Sequence, residues 1–293
     1  MLAPVGLIGL GLLGAALAQR LARASHRIVG FDIDPAARER FAADGHAALA
    51  SATAVASAAE RVVLCLPNSD IASTVIDEIS RELTPGRILI DTTTADPDTT
   101  AALGAKLAAR GVAYLDATIA ASSQQVRDGQ AVLLVGGERA AAERCGDVFD
   151  AVGRRWHYLG PCGAGARMKL VNNLVMGLNR AALAEGLAFA ERIGVDPRKA
   201  LDVMKDSNAY SVVMDLKGEK MLANDDAPQA HLAQHLKDVR LMLGMAERSG
   251  GYVPLSETHA ALLAEMVHRG QGEADNSAII QLFRRPPART NEA

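Results

Sequence analysis

Over the first 160 residues, short apolar runs alternate with segments of helical character; beyond that the runs stop. Residues 4–9, 27–32, 61–66, 87–91, 113–116 and 131–136 have the length and apolar character of buried strands. Residues 36–44, 69–83 and 98–110 read as helices between them. Strands and helices in this order predict βαβ units and a doubly wound parallel sheet. A ligand crevice is then expected beyond the C-terminal ends of the strands. After about residue 161 no convincing strand follows. One long helix is expected over 165–193, then shorter ones over 197–205, 210–224, 231–249 and 255–269. Asp196-Pro197 supplies an N-cap and a proline at the first helical position. The pattern divides the chain into an α/β domain, 1–162, and an all-α domain, 163–293, in which 285–293 reads as a frayed tail.

Composition narrows the class further. Hydrophobic residues make up 49% of the 293, enough for a sizeable core, yet only 3% are aromatic and alanine is abundant. That favours close-packed helices over an all-β fold. A net charge of -3, with both signs mixed along the chain, demands neither nucleic acid nor a membrane as partner. Cys65, Cys145 and Cys162 are far apart and form no CxxC or Cys/His ligand spacing. They are expected to be reduced thiols in a cytoplasmic protein, with no metal site. The apolar start MLAPVGLIGLGLLGAALAQRL lacks the basic beginning of a signal peptide and reads as a buried strand turning into a helix.

That turn, Gly9-Leu10-Gly11-Leu12-Leu13-Gly14, is a G-x-G-x-x-G placed directly between the first strand and the first helix. Gly9 permits a tight turn, Gly11 lets backbone approach a pyrophosphate, and Gly14 lets helix and strand pack closely. The helix N-terminus then faces the phosphates. Asp32 ends the second strand about twenty residues on, where an acid accepts hydrogen bonds from ribose hydroxyls. Asp32 followed by Ile33 would repel a 2′-phosphate, which favours NAD over NADP; Arg38 farther along is the nearby cation.

In GAGARMKLVNNLVMGLNRAALAEG, Lys169 and Asn173 stand four residues apart and so share one helical face, with Met176 and Arg180 roughly continuing it. A lysine in the first turn of this helix opposes the dipole and needs a task or an anionic neighbour. The positive helix end also favours the neutral amine, which eases use as a base. His231 and His235, at i and i+4, have a spacing that can bind metal, but without a third ligand they read as a polar helix face. Trp156 and His157 read as packing residues before the long helix.

Four motifs in order resemble the β-hydroxyacid dehydrogenase family: GLIGLGLLGAALAQRL, DATIAASSQQVRDGQ, GAGARMKLVNN and HLKDVRLM. The resemblance implies a Rossmann domain, a long interdomain helix and an all-helical second domain, paired as a homodimer or homotetramer. It implies hydride transfer between nicotinamide and a small β-hydroxyacid or its semialdehyde. Lys169 resembles the catalytic lysine, Asn173 the substrate-orienting amide and Lys237 the lysine that closes over the cofactor. Leu66-Pro67 and Thr94 resemble residues beside the cofactor. The second motif departs from the family's Pro-Val-Ser-Gly-Gly, which holds the substrate carboxylate: this chain has Thr118-Ile119-Ala120-Ala121-Ser122, and Ser122 or Ser123 is the candidate to restore a hydroxyl. An imine reductase on the same scaffold is the alternative, against which Lys169 and Asp32 count; a non-catalytic NAD-binding module is another.

Overall fold

The structure is a computed structural model that describes residues 3–285; the expected frayed tail, apart from Arg285, lies outside the described residues. The chain divides into two compact units, one up to Lys169 and one from Leu170.

The first unit opens with β1 (Val5–Ile8), α1 (Leu12–Arg23), β2 (Ile28–Phe31), α2 (Pro35–Ala43), β3 (Ala47–Ala48), α3 (Ala52–Ala58) and β4 (Arg61–Leu64). It continues with α4 (Ser69–Glu78), β5 (Ile88–Asp91), α5 (Pro97–Ala108), β6 (Ala113–Ala120), α6 (Ser123–Arg127) and β7 (Ala131–Gly136). Then come α7 (Arg139–Glu143), α8 (Gly146–Val152) and β8 (Gly153–Gly160). The eight strands form one sheet in the order β3-β2-β1-β4-β5-β6-β7-β8. Successive strand residues feed opposite faces. Val5, Leu7, Val63, Ile88 and Ile90 join the core with α1 and α8. Ile8, Val62, Leu64 and Leu89 join the core with α3, α4 and α5.

The doubly wound parallel architecture is present from β1 to β6, and two features depart from the expected pattern. β7 pairs antiparallel with β6, and β8 follows it in parallel. Only residues 121–130 connect β6 to β7, too few for a parallel crossover, which takes a dozen or more. β8 was not expected as a strand because RRWHYLG carries two arginines and little apolar alternation. It is an edge strand, where charge is tolerated, and it takes Trp156 against Phe149 with ring centroids 5.4 Å apart.

The second unit is helical. α9 (Ala164–Arg192) runs into it from the first unit, followed by α10 (Pro197–Lys205), α11 (Val212–Ala223), α12 (Leu232–Ser249), α13 (Pro254–His268) and α14 (Ile280–Arg284). Its core is aliphatic and Met-rich, including Leu183, Leu187, Leu201, Met214, Met221, Leu236, Met242, Leu263 and Ile279. Among the described residues, no helix is long and apolar enough to cross a membrane.

Candidate functional site

Every strand from β1 to β6 runs the same way, so their C-terminal ends gather on one edge of the sheet. Gly9, Asp32, Leu66 and Thr94 follow β1, β2, β4 and β5 at that edge. The glycines are required there by space. Gly9 has φ +95°, and a Cβ on it would lie 2.1 Å from the Cys65 carbonyl oxygen. A Cβ on Gly14 would lie 2.0 Å from the Gly9 oxygen, so no larger residue lets α1 leave the strand this way. A Cβ on Gly11 would meet nothing within 4 Å. Gly11 N-caps α1 without a side-chain hydrogen bond. An open backbone at a helix N-terminus is the cradle a pyrophosphate needs. Leu10 is buried, Leu13 packs on the core and Leu12 is exposed.

Asp32 is fixed by the loop it serves. Its Oδ2 accepts from the Leu10 N–H at 2.6 Å and its Oδ1 from the Asp34 N–H at 2.9 Å. Arg38 donates through Nη1 to the carbonyl oxygens of Asp32 at 2.6 Å and Ile33 at 3.2 Å. The nearby cation is thereby turned onto the backbone. The residues present fit a dinucleotide. The Leu66 N–H donates to Thr93 Oγ1 at 3.3 Å, beside exposed Pro67 and half-buried Thr94. Burial pushes the Cys65 thiol up to about 12, so it stays protonated. All three cysteines are free thiols.

The start of α9 is held from β6. Asp116, 2% exposed, accepts from the Gly163 N–H at 3.0 Å through Oδ1 and from the Ala166 N–H at 2.8 Å through Oδ2. Burial raises its carboxyl above the ordinary value, against the lowering effect of these two bonds. Thr118 Oγ1 donates to the Gly165 oxygen at 3.2 Å, and a Cβ on Gly165 would lie 2.4 Å from the Leu134 oxygen. The helix thus begins against backbone. Lys169 comes in the second turn of α9, not the first, and is 8% exposed. Its Nζ donates to the Ile119 oxygen at 2.5 Å, which aims the ammonium at the end of β6. The acid that caps the helix start is Asp116, which sequence reasoning did not single out.

The departed turn also resolves. Neither Ala121 nor Ser122 has positive φ, so this backbone path needs no glycine. Ser122 caps α6: its Oγ accepts from the Gln125 N–H at 3.2 Å, and its N–H donates to Gln125 Oε1 at 2.9 Å. Ser123, half-buried, is the first residue of that helix.

Asn173, one turn beyond Lys169, is 4% exposed and belongs to the second unit. Its Nδ2 donates to Asp238 Oδ2 at 3.2 Å, and its Oδ1 accepts from Asn172 Nδ2 at 3.4 Å. Asp238 Oδ1 also lies 3.2 Å from Lys237 Nζ. Asp238 therefore joins two of the expected site residues, and its signal was the Lys-Asp pair in HLKDVRLM. His235 is not on a polar helix face. It is buried against His259, with ring centroids 5.1 Å apart at 52°. His231 instead N-caps α12, with Nδ1 2.8 Å from the Glu273 oxygen.

Comparison with known proteins agrees with the fold. Residues 4–160 match the family model described as the NAD binding domain of 6-phosphogluconate dehydrogenase. Residues 163–283 match the one described as NAD-binding of NADP-dependent 3-hydroxyisobutyrate dehydrogenase. The chain is 30% identical to L-threonate dehydrogenase of Cupriavidus necator, over 95% of both chains. It is 25% identical to the cytokine-like nuclear factor N-PAC of Xenopus tropicalis, over 95% of this chain but 53% of that longer protein, of which it spans about half. The crystal structure of 3-hydroxyisobutyrate dehydrogenase from Salmonella typhimurium superposes with a TM-score of 0.88 at 26% identity, covering 95% of this chain and 99% of that one.

Proposed function

The chain belongs to the β-hydroxyacid dehydrogenase family, and from that premise we propose that it is an NAD-preferring enzyme interconverting a small β-hydroxyacid and its semialdehyde. That it is an NAD(P)-dependent hydroxyacid oxidoreductase follows from its family. The nicotinamide supplies hydride acceptance and donation when bound. The protein must then hold the substrate oxygen and move one proton. The buried Lys169 amine at the end of β6 is the observation that carries this reading. In oxidation the neutral amine takes the hydroxyl proton; in reduction the ammonium polarises the carbonyl oxygen and returns it. Asn173 spends one N–H on Asp238 and keeps a second to orient the substrate oxygen, while Lys237, paired to Asp238, is suited to close over the cofactor. Leu66, Pro67 and Thr94 would flank the nicotinamide.

Asp32 supports NAD. Both its oxygens are already fixed by backbone N–H groups, so the charge cannot swing away from a 2′-phosphate. The substrate is anionic on this reading, with Ser123 beside the turn that would meet it. Free thiols suit the cytoplasm. A homodimer or homotetramer is part of this reading from the family resemblance, with the exposed Phe189, Ile193, Val203 and Val212 of the helical unit as candidate contact residues; sedimentation equilibrium checks it. The test of the function is a panel of β-hydroxyacids with purified protein and either cofactor, followed by nicotinamide absorbance. Lys169→Met is expected to lower kcat by about 10²–10⁴-fold with cofactor affinity unchanged. Turnover kept in that variant would remove the lysine from the mechanism.

A further inference from the structure

Asp91 ends β5, two residues after Leu89 and so on the same face of the sheet. It is 2% exposed. A buried carboxylate is costly unless its oxygens are hydrogen-bonded, and here both are. Oδ2 accepts from the Tyr114 hydroxyl at 2.5 Å and Oδ1 from the Thr93 N–H at 2.8 Å. Tyr114 stands beside Leu89 in the register of β5 with β6, so its ring runs along this face to reach the carboxylate. Burial raises the Asp91 carboxyl, while the Thr93 and Tyr114 hydroxyls act against burial and favour its charged form. Burial and the Asp91 charge push the Tyr114 phenol well above its usual range, so it remains a donor.

Thr93 carries this link to the cofactor edge of the sheet. Its Oγ1 accepts from the Leu66 N–H at 3.3 Å, which ties the loop after β5 to the loop after β4. A second bond joins the same two loops three residues farther along each: the Asp96 N–H donates to Ser69 Oγ at 3.0 Å. Where the two strands end, Thr92 Oγ1 donates to the Leu64 oxygen at 2.8 Å. Three hydroxyls thus stitch the loops together, and the middle one, on buried Thr93, is also fixed to Asp91. As a β-branched residue at a strand end, Thr93 could be valine for packing alone; the Leu66 bond needs its hydroxyl. The residues next to this stitch are Leu66-Pro67 and Thr94, the ones that flank the nicotinamide on the reading above. Hydride transfer is sensitive to such placement, since a misplacement of about 1 Å is costly.

We propose that Thr93 is a positioning residue for the nicotinamide: its hydroxyl holds the loops after β4 and β5 at one spacing, and Asp91 with Tyr114 holds Thr93 in place. This role rests on the placement of Leu66, Pro67 and Thr94 beside the nicotinamide proposed above.

Calorimetric titration of the full chain with NADH and with ADP-ribose tests it without turnover. ADP-ribose keeps both riboses and the pyrophosphate but lacks the nicotinamide. Thr93→Val is expected to weaken NADH binding about fivefold and to leave ADP-ribose binding unchanged. Thr93→Ser, which keeps the hydroxyl, is expected to restore the affinity for NADH. Tyr114→Phe, which removes one support of Asp91, is expected to weaken NADH by less and ADP-ribose not at all. A merely structural role would weaken both ligands alike. Equal weakening in Thr93→Val, no change in either ligand, or failure of Thr93→Ser to restore binding overturns the proposal. These Thr93 comparisons stand even where Tyr114→Phe does not fold. A wild-type chain that binds NADH yet turns over no hydroxyacid or semialdehyde would remove the proposed function and leave the binding comparison standing.

Discussion

The proposed preference for NAD rests on one residue, Asp32. Two unit charges about 4 Å apart near a protein surface repel by about 4 kcal/mol, and the Leu10 and Asp34 N–H groups prevent the carboxylate from turning away. Asp32→Ser is expected to raise the ratio of kcat/KM with NADP to that with NAD by about 10²-fold, read from initial rates with each cofactor. An unchanged ratio would place discrimination elsewhere. The site residues legible in the sequence were those whose role is local: a glycine loop between strand and helix, and two side chains a turn apart on α9. Asp116 and Asp238 were missed because their partners are 50 and 65 residues away. An acid in a strand or beside a lysine looks ordinary until the fold brings an N–H or an amide to it. His235 was misread for the same reason, since its neighbour His259 lies on another helix.

At the scale of elements, α9 carries both Lys169 and Asn173, and the cap that starts it comes from a strand. Asp116→Ala leaves the Gly163 and Ala166 N–H groups buried without acceptors. The expected cost is about 2 kcal/mol, with relief of the buried charge offsetting part of the loss. Urea unfolding measures it, and a fall in kcat beyond the loss of folded protein would show that the cap positions Lys169. A stability unchanged within error would mean that other groups start the helix. The elements themselves were legible where periodicity is strong. The long helix was expected over 165–193 and spans Ala164–Arg192. β8 was hidden by its arginines, β3 by having two residues, and the reversal at β7 by a connection whose direction depends on length rather than pattern.

For the whole molecule, buried ionisable groups set an acid response that differs between the units. Burial and the Arg180 charge push His259 down to about 4 from 6.5. Between those values the unfolded chain binds a proton that the folded chain refuses, so stability is full above about 6.5 and falls as pH drops through about 4, by about 3 kcal/mol. Burial alone would raise Asp275, but Lys217 and the backbone N–H groups outweigh it and hold the carboxyl at about 2. Lys217 has fewer partners and burial lowers its ammonium. Asp275 adds stability that is present above about 3.8 and is lost toward about 2, about 2 kcal/mol more. Both groups lie in the helical unit. In the first unit, burial raises Asp91 and Asp116, so there the folded state takes up protons more readily than the unfolded chain and gains stability as pH falls. Acidification is therefore expected to loosen the helical unit first. Hydrogen exchange at pH 7.5, 5.5 and 4.5 should show protection falling in α12 and α13 before it falls in β1, β4 and β5, and His259→Leu should remove most of the loss between pH 7.5 and 4.5. Simultaneous loss in both units, or the same acid profile in His259→Leu, would show that His259 does not set the response over this range.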